Sequence, residues 1–143
     1  MIHASESDLR HAFHKHHSAV QETKAACSYL LLFYAVECGL KSIWLKRNNL
    51  TGTDRIKNPT LLSKDGHNFG VWIKALRLPL DVVGDISNLK LPSFSLHKDG
   101  SNWNMSEAHQ AWRYGVRINS QDQNALVEWL EKVCTWIKEN INR

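Results

Sequence analysis

Residues 25–47 read AACSYLLLFYAVECGLKSIWLKR. No Pro interrupts this stretch, and Gly39 is its single Gly. The segment YLLLFYAV, Tyr29 to Val36, is apolar all round when wound as a helix. Such a helix is buried on several sides, so it is read as the central helix of a core. Leu30, Phe33, Val36, Leu40 and Ile43 are its expected core positions. Glu37 and Lys41 stand at i, i+4 in the favourable order for a helical pair. Lys46 and Arg47 complement the negative helix end, and Asn48–Asn49 suit a C-cap.

Upstream, a first helix is expected to start near Ser5, with Glu6 and Asp8 in its first turn, and to end in the low twenties. Leu9, Phe13, His16 and Val20 fall on one face of it. Arg10, His14 and His17 fall on another. Downstream, residues 51–66 carry loop chemistry: TGTD, then Asn58-Pro59, then Lys64-Asp65-Gly66. A third helix is expected from about His67 to Leu78, where Phe69, Trp72, Ile73 and Leu76 form an apolar stripe and Pro79 ends it. A short fourth helix follows from Leu80 to Leu89, with Val82, Val83, Ile86 and Leu89 inward. Residues 92–105 are polar, aromatic and irregular. A helix begins at Ser106–Glu107 and stops or kinks at Gly115. Ser120-x-x-Gln123 reads as a capping box for the last helix, which runs to about Asn140. Leu126, Trp129, Leu130, Val133, Ile137 and Ile141 form its inner stripe. No window alternates with period two, so no strand is expected. The reading is one all-α domain over 1–143, an up-and-down helical bundle with a long irregular loop before the last two helices.

Composition supports a single core. The chain has 143 residues, 43% of them hydrophobic and 22% charged. That excludes disordered and low-complexity classes. The net charge of +4 is mild and permits an anionic partner without requiring one. The longest wholly apolar run, Tyr29 to Val36, is far short of the ~20 residues of a membrane span, so no membrane association is expected. No leader is expected from the first ten residues, MIHASESDLR. Cys27, Cys38 and Cys134 are an odd number with no metal-like spacing. They are expected to pack as small hydrophobes in a reducing, cytoplasmic setting.

Few patterns carry chemistry. His3, His11, His14, His16 and His17 crowd the start of the chain, but only His14 and His17 have an i, i+3 spacing, and no metal is expected. Phosphate-cradling glycine loops and the nucleophile elbow are both absent from the sequence, and no cofactor is implied. Two places remain. Glu37 lies inside the most apolar helix, and a carboxylate there must be paired or protonated. Lys41 is the local partner and Arg113 a distant one. His109 and Arg113 stand at i, i+4 in SEAHQAWRYGVR, with Trp112 and Tyr114 beside them and Arg117 one turn on. Arg, His and aromatic side chains together suit a phosphate or a base.

Three segments resemble the HEPN domain family (higher eukaryotes and prokaryotes nucleotide-binding). Tyr34-Ala-Val-Glu-Cys-Gly-Leu-Lys41 is similar to the family's early core helix. Gly66-His-Asn-Phe69 is similar to the start of a family amphipathic helix. Ala111-Trp-Arg-Tyr114, before a long last helix, is similar to the family's Arg-Tyr turn. The resemblance spans residues 25–141. It implies an all-α bundle, usually a homodimer, in bacterial defence or toxin–antitoxin settings. Many relatives are metal-independent ribonucleases with an Arg-x4–6-His motif, in which Arg stabilises phosphate charge and His moves a proton. Here no His lies four to six residues after Arg113 or Arg117. The in-range pairs are Arg10 with His16 or His17, on the first helix, so Arg10 and His17 are the catalytic candidates. Arg113, His109, Glu37 and Arg117 are the ligand-binding candidates. The expectation is a domain that binds RNA, a nucleotide or a protein partner without efficient turnover; the alternative is a metal-independent endoribonuclease.

Overall fold

The computed structural model describes residues 3–22, 26–58, 61 and 69–143, with the side chains of 20–22 and 26 left aside. Ala25, the His67 helix start and most of the Gly66–Phe69 motif therefore lie outside the described residues, as does the side chain of Val20. The fold is predominantly helical. Its α-helices are α1 (Glu6–Glu22), α2 (Ala26–Arg47), α3 (Phe69–Leu76), α4 (Leu80–Val83), α5 (Ala108–Tyr114) and α6 (Ser120–Asn140).

The central helix is α2. Phe33, Val36, Leu40 and Ile43 are buried. Leu30 is only half-buried, at the packed edge of the cluster rather than within it. The segment Cys27–Arg47 is long and apolar enough to cross a membrane by length and composition alone, but 61% of its most apolar window is buried inside the fold. Its apolar surface is used against α1, α3, α5 and α6. Cys27 is exposed, a correction to its expected packing: it precedes the all-round apolar run that begins at Tyr29.

The first helix, α1, runs antiparallel to α2. Ser5 pairs with Gly52 at one end, and the His16 ring lies 6.2 Å from that of Tyr34 towards the other. Ser5 and Asp8 form a reciprocal capping box, with Asp8 N–H donating to Ser5 Oγ at 2.9 Å and Ser5 N–H donating to Asp8 Oδ2 at 3.1 Å. Gly39 is the crossing point of three helices. A Cβ there would sit 2.6 Å from Ile137 Cγ2 of α6 and 3.0 Å from Phe13 Cδ1 of α1. Arg47 binds the far end together: it donates to the Leu76 carbonyl at 3.2 Å and lies 5.5 Å over the Trp136 ring.

Residues 92–105 are not irregular throughout. They contain a two-stranded antiparallel hairpin, β1 (Ser93–Ser95) and β2 (Asn102–Asn104), which the sequence reading did not foresee. Ser-Phe-Ser and Asn-Trp-Asn alternate over only three residues each, too short a run to read as strands from sequence, and tertiary bonds hold them. His97 N–H donates to the Arg117 carbonyl and Asn119 N–H to the Ser95 carbonyl, each at 2.9 Å. The Asp122 carboxylate accepts from the Ser95 N–H at 2.9 Å and from its hydroxyl at 2.8 Å. The same docking moves the start of α6. Asn119, not Ser120, is the N-cap, its side chain accepting from Gln121 N–H and Asp122 N–H. Gln123 accepts from the Trp112 indole at 3.2 Å. The fourth helix is also shorter than expected, because Gly84 at φ +79° ends α4 after Val83, and a 3-10 turn over Ile86–Asn88 follows. Gly115 ends α5 in the left-handed conformation, φ +70°, as the sequence reading expected.

Candidate functional site

The site is built on α5 where it meets α2. Successive α2 residues take up the turns of α5. Phe33 packs on His109 at 5.0 Å between ring centroids, and Tyr34 meets Arg113 one turn further along. The i, i+4 spacing of His109 and Arg113 does turn both towards α2, but at different depths. His109 is buried beneath the surface, while Arg113 is exposed at the rim.

The Arg113 guanidinium donates to the phenol oxygen of Tyr34. Tyr114, next in the chain, acts on the same charge. Both phenols favour the charged form and push the Arg113 pKa up, Tyr34 more than Tyr114. The ion pairs among the described residues include Lys41–Glu37 and Arg55–Asp54, and Arg113 belongs to neither. Its charge is oriented by neutral oxygens and not cancelled by a carboxylate. From the other side α1 brings His16 to Tyr34. Burial and then the Lys15 charge lower the His16 pKa, against an opposite pull from Glu37. An imidazole whose pKa is held below its ordinary value is largely uncharged at pH 7 and can accept a proton.

Glu37 does not pair with Arg113, which corrects one of the two expected partnerships. Lys41 Nζ lies 3.0 Å from Glu37 Oε1, one turn on along α2, whereas α5 carries Arg113 to Tyr34 instead. Arg117 is exposed on the connection to α6, and its carbonyl holds the hairpin. Arg10 and His17 are two turns apart on α1, about 10 Å along the axis. Arg10 borders a groove with Lys46 and Asn49, while His17 stacks on Phe13 at 5.7 Å beside Glu131 and Lys138 of α6. The structure therefore separates that pair, and the α1 imidazole that reaches the Arg113 face is His16.

Neither Cys38 nor Cys134 is activated. Burial raises the Cys38 thiol to about 11 and the Cys134 thiol to about 12, so neither is a thiolate at neutral pH. Among the described residues no three His, Cys, Asp or Glu side chains converge as metal ligands would.

The sequence reading missed the part played by Tyr34 and Tyr114. Tyr34 sits within an all-round apolar run, where a phenol is indistinguishable from any other core aromatic. Tyr114 follows Arg113 directly as the last residue of α5, where sequence alone marks it as one more aromatic. Comparison with known proteins adds no relative: no family model, no curated protein and no solved structure matches this chain.

Proposed function

We propose that this chain is a HEPN-like helical module that binds RNA or a nucleotide through its Arg113 face, without efficient turnover. The observation that carries this is the state of Arg113: exposed, held by Tyr34, and outside the ion pairs of the described residues. A guanidinium is a planar fork of donors suited to phosphate oxygens. Oriented by a phenol, it keeps its remaining donors and its full charge for an anion. The family setting adds a homodimer, a protein partner, a cytoplasmic location and a defence or toxin–antitoxin role to the proposal.

The test is titration of single-stranded RNA against the wild type and Arg113→Ala, with thermal melts alongside. The expected result is weaker binding in the variant, a salt slope smaller by about one, and unchanged melting. Equal binding by both proteins refutes the reading.

One observation favours the ribonuclease alternative. His16, with its lowered pKa, shares Tyr34 with Arg113, which places a proton acceptor and a charge stabiliser on one surface. Incubation of RNA with the wild type and with His16→Ala, in the presence of a chelator, separates the two readings. Cleavage abolished by His16→Ala supports the enzyme, and intact RNA supports binding alone.

A further inference from the structure

The hairpin and α5 enclose a cleft of about 140 Å³ whose walls are Phe94, Trp103, Ala111 and Tyr114. Phe94 and Trp103 are cross-strand partners in the register, so they share one face of the hairpin. Phe94 is buried, whereas Trp103 extends past the core edge and is 46% exposed. Tyr114, opposite, is 71% exposed. Two large, exposed aromatic rings thus line one mainly apolar cleft.

The Trp103 ring is not loose. Its indole N–H donates to Ser101 Oγ at 2.8 Å, and the Ser101 hydroxyl donates to Asp99 Oδ1 at 2.7 Å. Asp99 also accepts from the Ser101 N–H, at 2.9 Å, within the turn that Gly100 closes at φ +67°. An exposed indole held in one orientation is a preformed stacking surface, and the entropy of ordering it is not charged to a ligand. The cleft is far smaller than the ~300–1,000 Å³ of a drug-sized site, so a single flat ring system suits it better than a whole cofactor. Lys98 stands at its mouth, with Glu107 and Gln110 offering an acceptor and a mixed donor–acceptor group to a ring edge.

We propose that this cleft is a nucleobase subsite, taking one unpaired base of an RNA strand between Trp103 and Tyr114. This rests on reading the Arg113 face as a phosphate site. Tyr114 joins the two, forming one wall of the cleft while following Arg113 directly in the chain at the end of α5. A phosphate on Arg113 and a base against Tyr114 are neighbouring parts of one nucleotide. Lys98 and Arg113 supply positive charge beside the apolar floor, the combination that single-stranded nucleic acid requires and an apolar peptide does not.

The test uses single-stranded RNA, a blunt RNA duplex of equal length and an abasic strand, each titrated against the wild type, Trp103→Ala, Trp103→Phe and Arg113→Ala. Trp103 is exposed, so its replacement leaves folding intact. Trp103→Ala is expected to weaken single-strand binding by about 5- to 150-fold, which is ~1–3 kcal/mol of stacking at ~1.4 kcal/mol per tenfold. Trp103→Phe should recover much of that loss, and the salt slope should stay at the wild-type value. Duplex and abasic strand should bind with no dependence on Trp103. If Trp103→Ala binds single strands as the wild type does, while Arg113→Ala loses affinity and salt slope, the subsite is refuted and the phosphate site stands. If the wild type binds no strand at all, both fall. If Trp103→Ala instead changes the sedimentation of the protein and not its RNA affinity, the cleft is a contact between copies of the chain and the proposal is overturned.

Discussion

Arg113 donates its guanidinium to the phenol of Tyr34, 79 residues earlier in the chain. This bond joins the end of a seven-residue helix to the middle of the central helix. It orients a cation at the surface without neutralising it. In the Glu37–Lys41 pair, one turn further along α2, Lys41 Nζ lies 3.0 Å from Glu37 Oε1, and Arg113 is not part of it.

Tyr34→Phe keeps the ring and removes the acceptor. Melting should change little, because the bond lies at an exposed rim. RNA affinity should fall by about 2- to 12-fold, the equivalent of a ~0.5–1.5 kcal/mol hydrogen bond, and by less than in Arg113→Ala. Anisotropy titrations of the two variants side by side check the order.

Phe33→Ala should destabilise the fold by about 3–5 kcal/mol. The ring is fully buried, with Phe69 at 4.6 Å and His109 at 5.0 Å between centroids. Urea unfolding measures the loss, and a cost below ~1 kcal/mol would contradict the packing described.

Gly39→Ala should also destabilise, by about 1–3 kcal/mol, although Ala is the better helix former. Its methyl would meet Ile137 and Phe13, both fully buried and unable to swing away. Adding Ile137→Ala removes the closest atoms. A double-mutant cycle in urea should then show a favourable coupling between the two substitutions.

Stability should fall as the medium is acidified from neutral. Burial, followed by nearby Lys charges, holds the His16 and His17 pKa values below the ordinary 6.5. In the unfolded chain these histidines take up protons at about 6.5, before the folded chain does. Between the two values the unfolded state holds more protons, so stability is full above about 6.5, is lost as pH falls through the folded values, and then levels off. Melting curves between pH 7.5 and 5 should show the decline, and His16→Gln with His17→Gln should flatten it. A double variant with the wild-type slope would assign the decline to other groups.

Asp122→Ala removes the acceptor for both the N–H and the hydroxyl of Ser95. A backbone donor that loses its partner costs about 1–3 kcal/mol. Hydrogen exchange should quicken over 93–104 while α2 stays protected. If the hairpin instead keeps its protection, the bonds to 117–119 hold it without Asp122.

Much of the fold was legible in the sequence because local patterns agree with global packing. Tyr29–Val36 has no polar face, so α2 had to be central, and the stripe Leu126–Leu130–Val133–Ile137 could face only one way. Ser5, with Asp8 three residues on, and Gly115 mark helix ends by chemistry that acts within a few residues. Arg113 was legible as a candidate because a guanidinium beside aromatics suits a phosphate wherever the chain places it.

Other features depended on residues far apart in the chain, and these only the tertiary structure decided. The hairpin exists because Ser95 meets Asp122 and the 117–119 backbone, contacts that leave no mark in the sequence, and the alternation of its three-residue strands is too short to stand alone. The N-cap of α6 moved from Ser120 to Asn119 for the same reason, since the Asn119 N–H is bonded to the hairpin. His109 and Arg113 look equivalent at i, i+4, yet one lies under Phe33 and the other on Tyr34, because depth is set by the neighbouring helix. His16 rather than His17 reaches that surface because α1 turns one imidazole to α2 and the next towards α6. Helical periodicity determines which residues share a face; what that face meets is determined by packing across the chain.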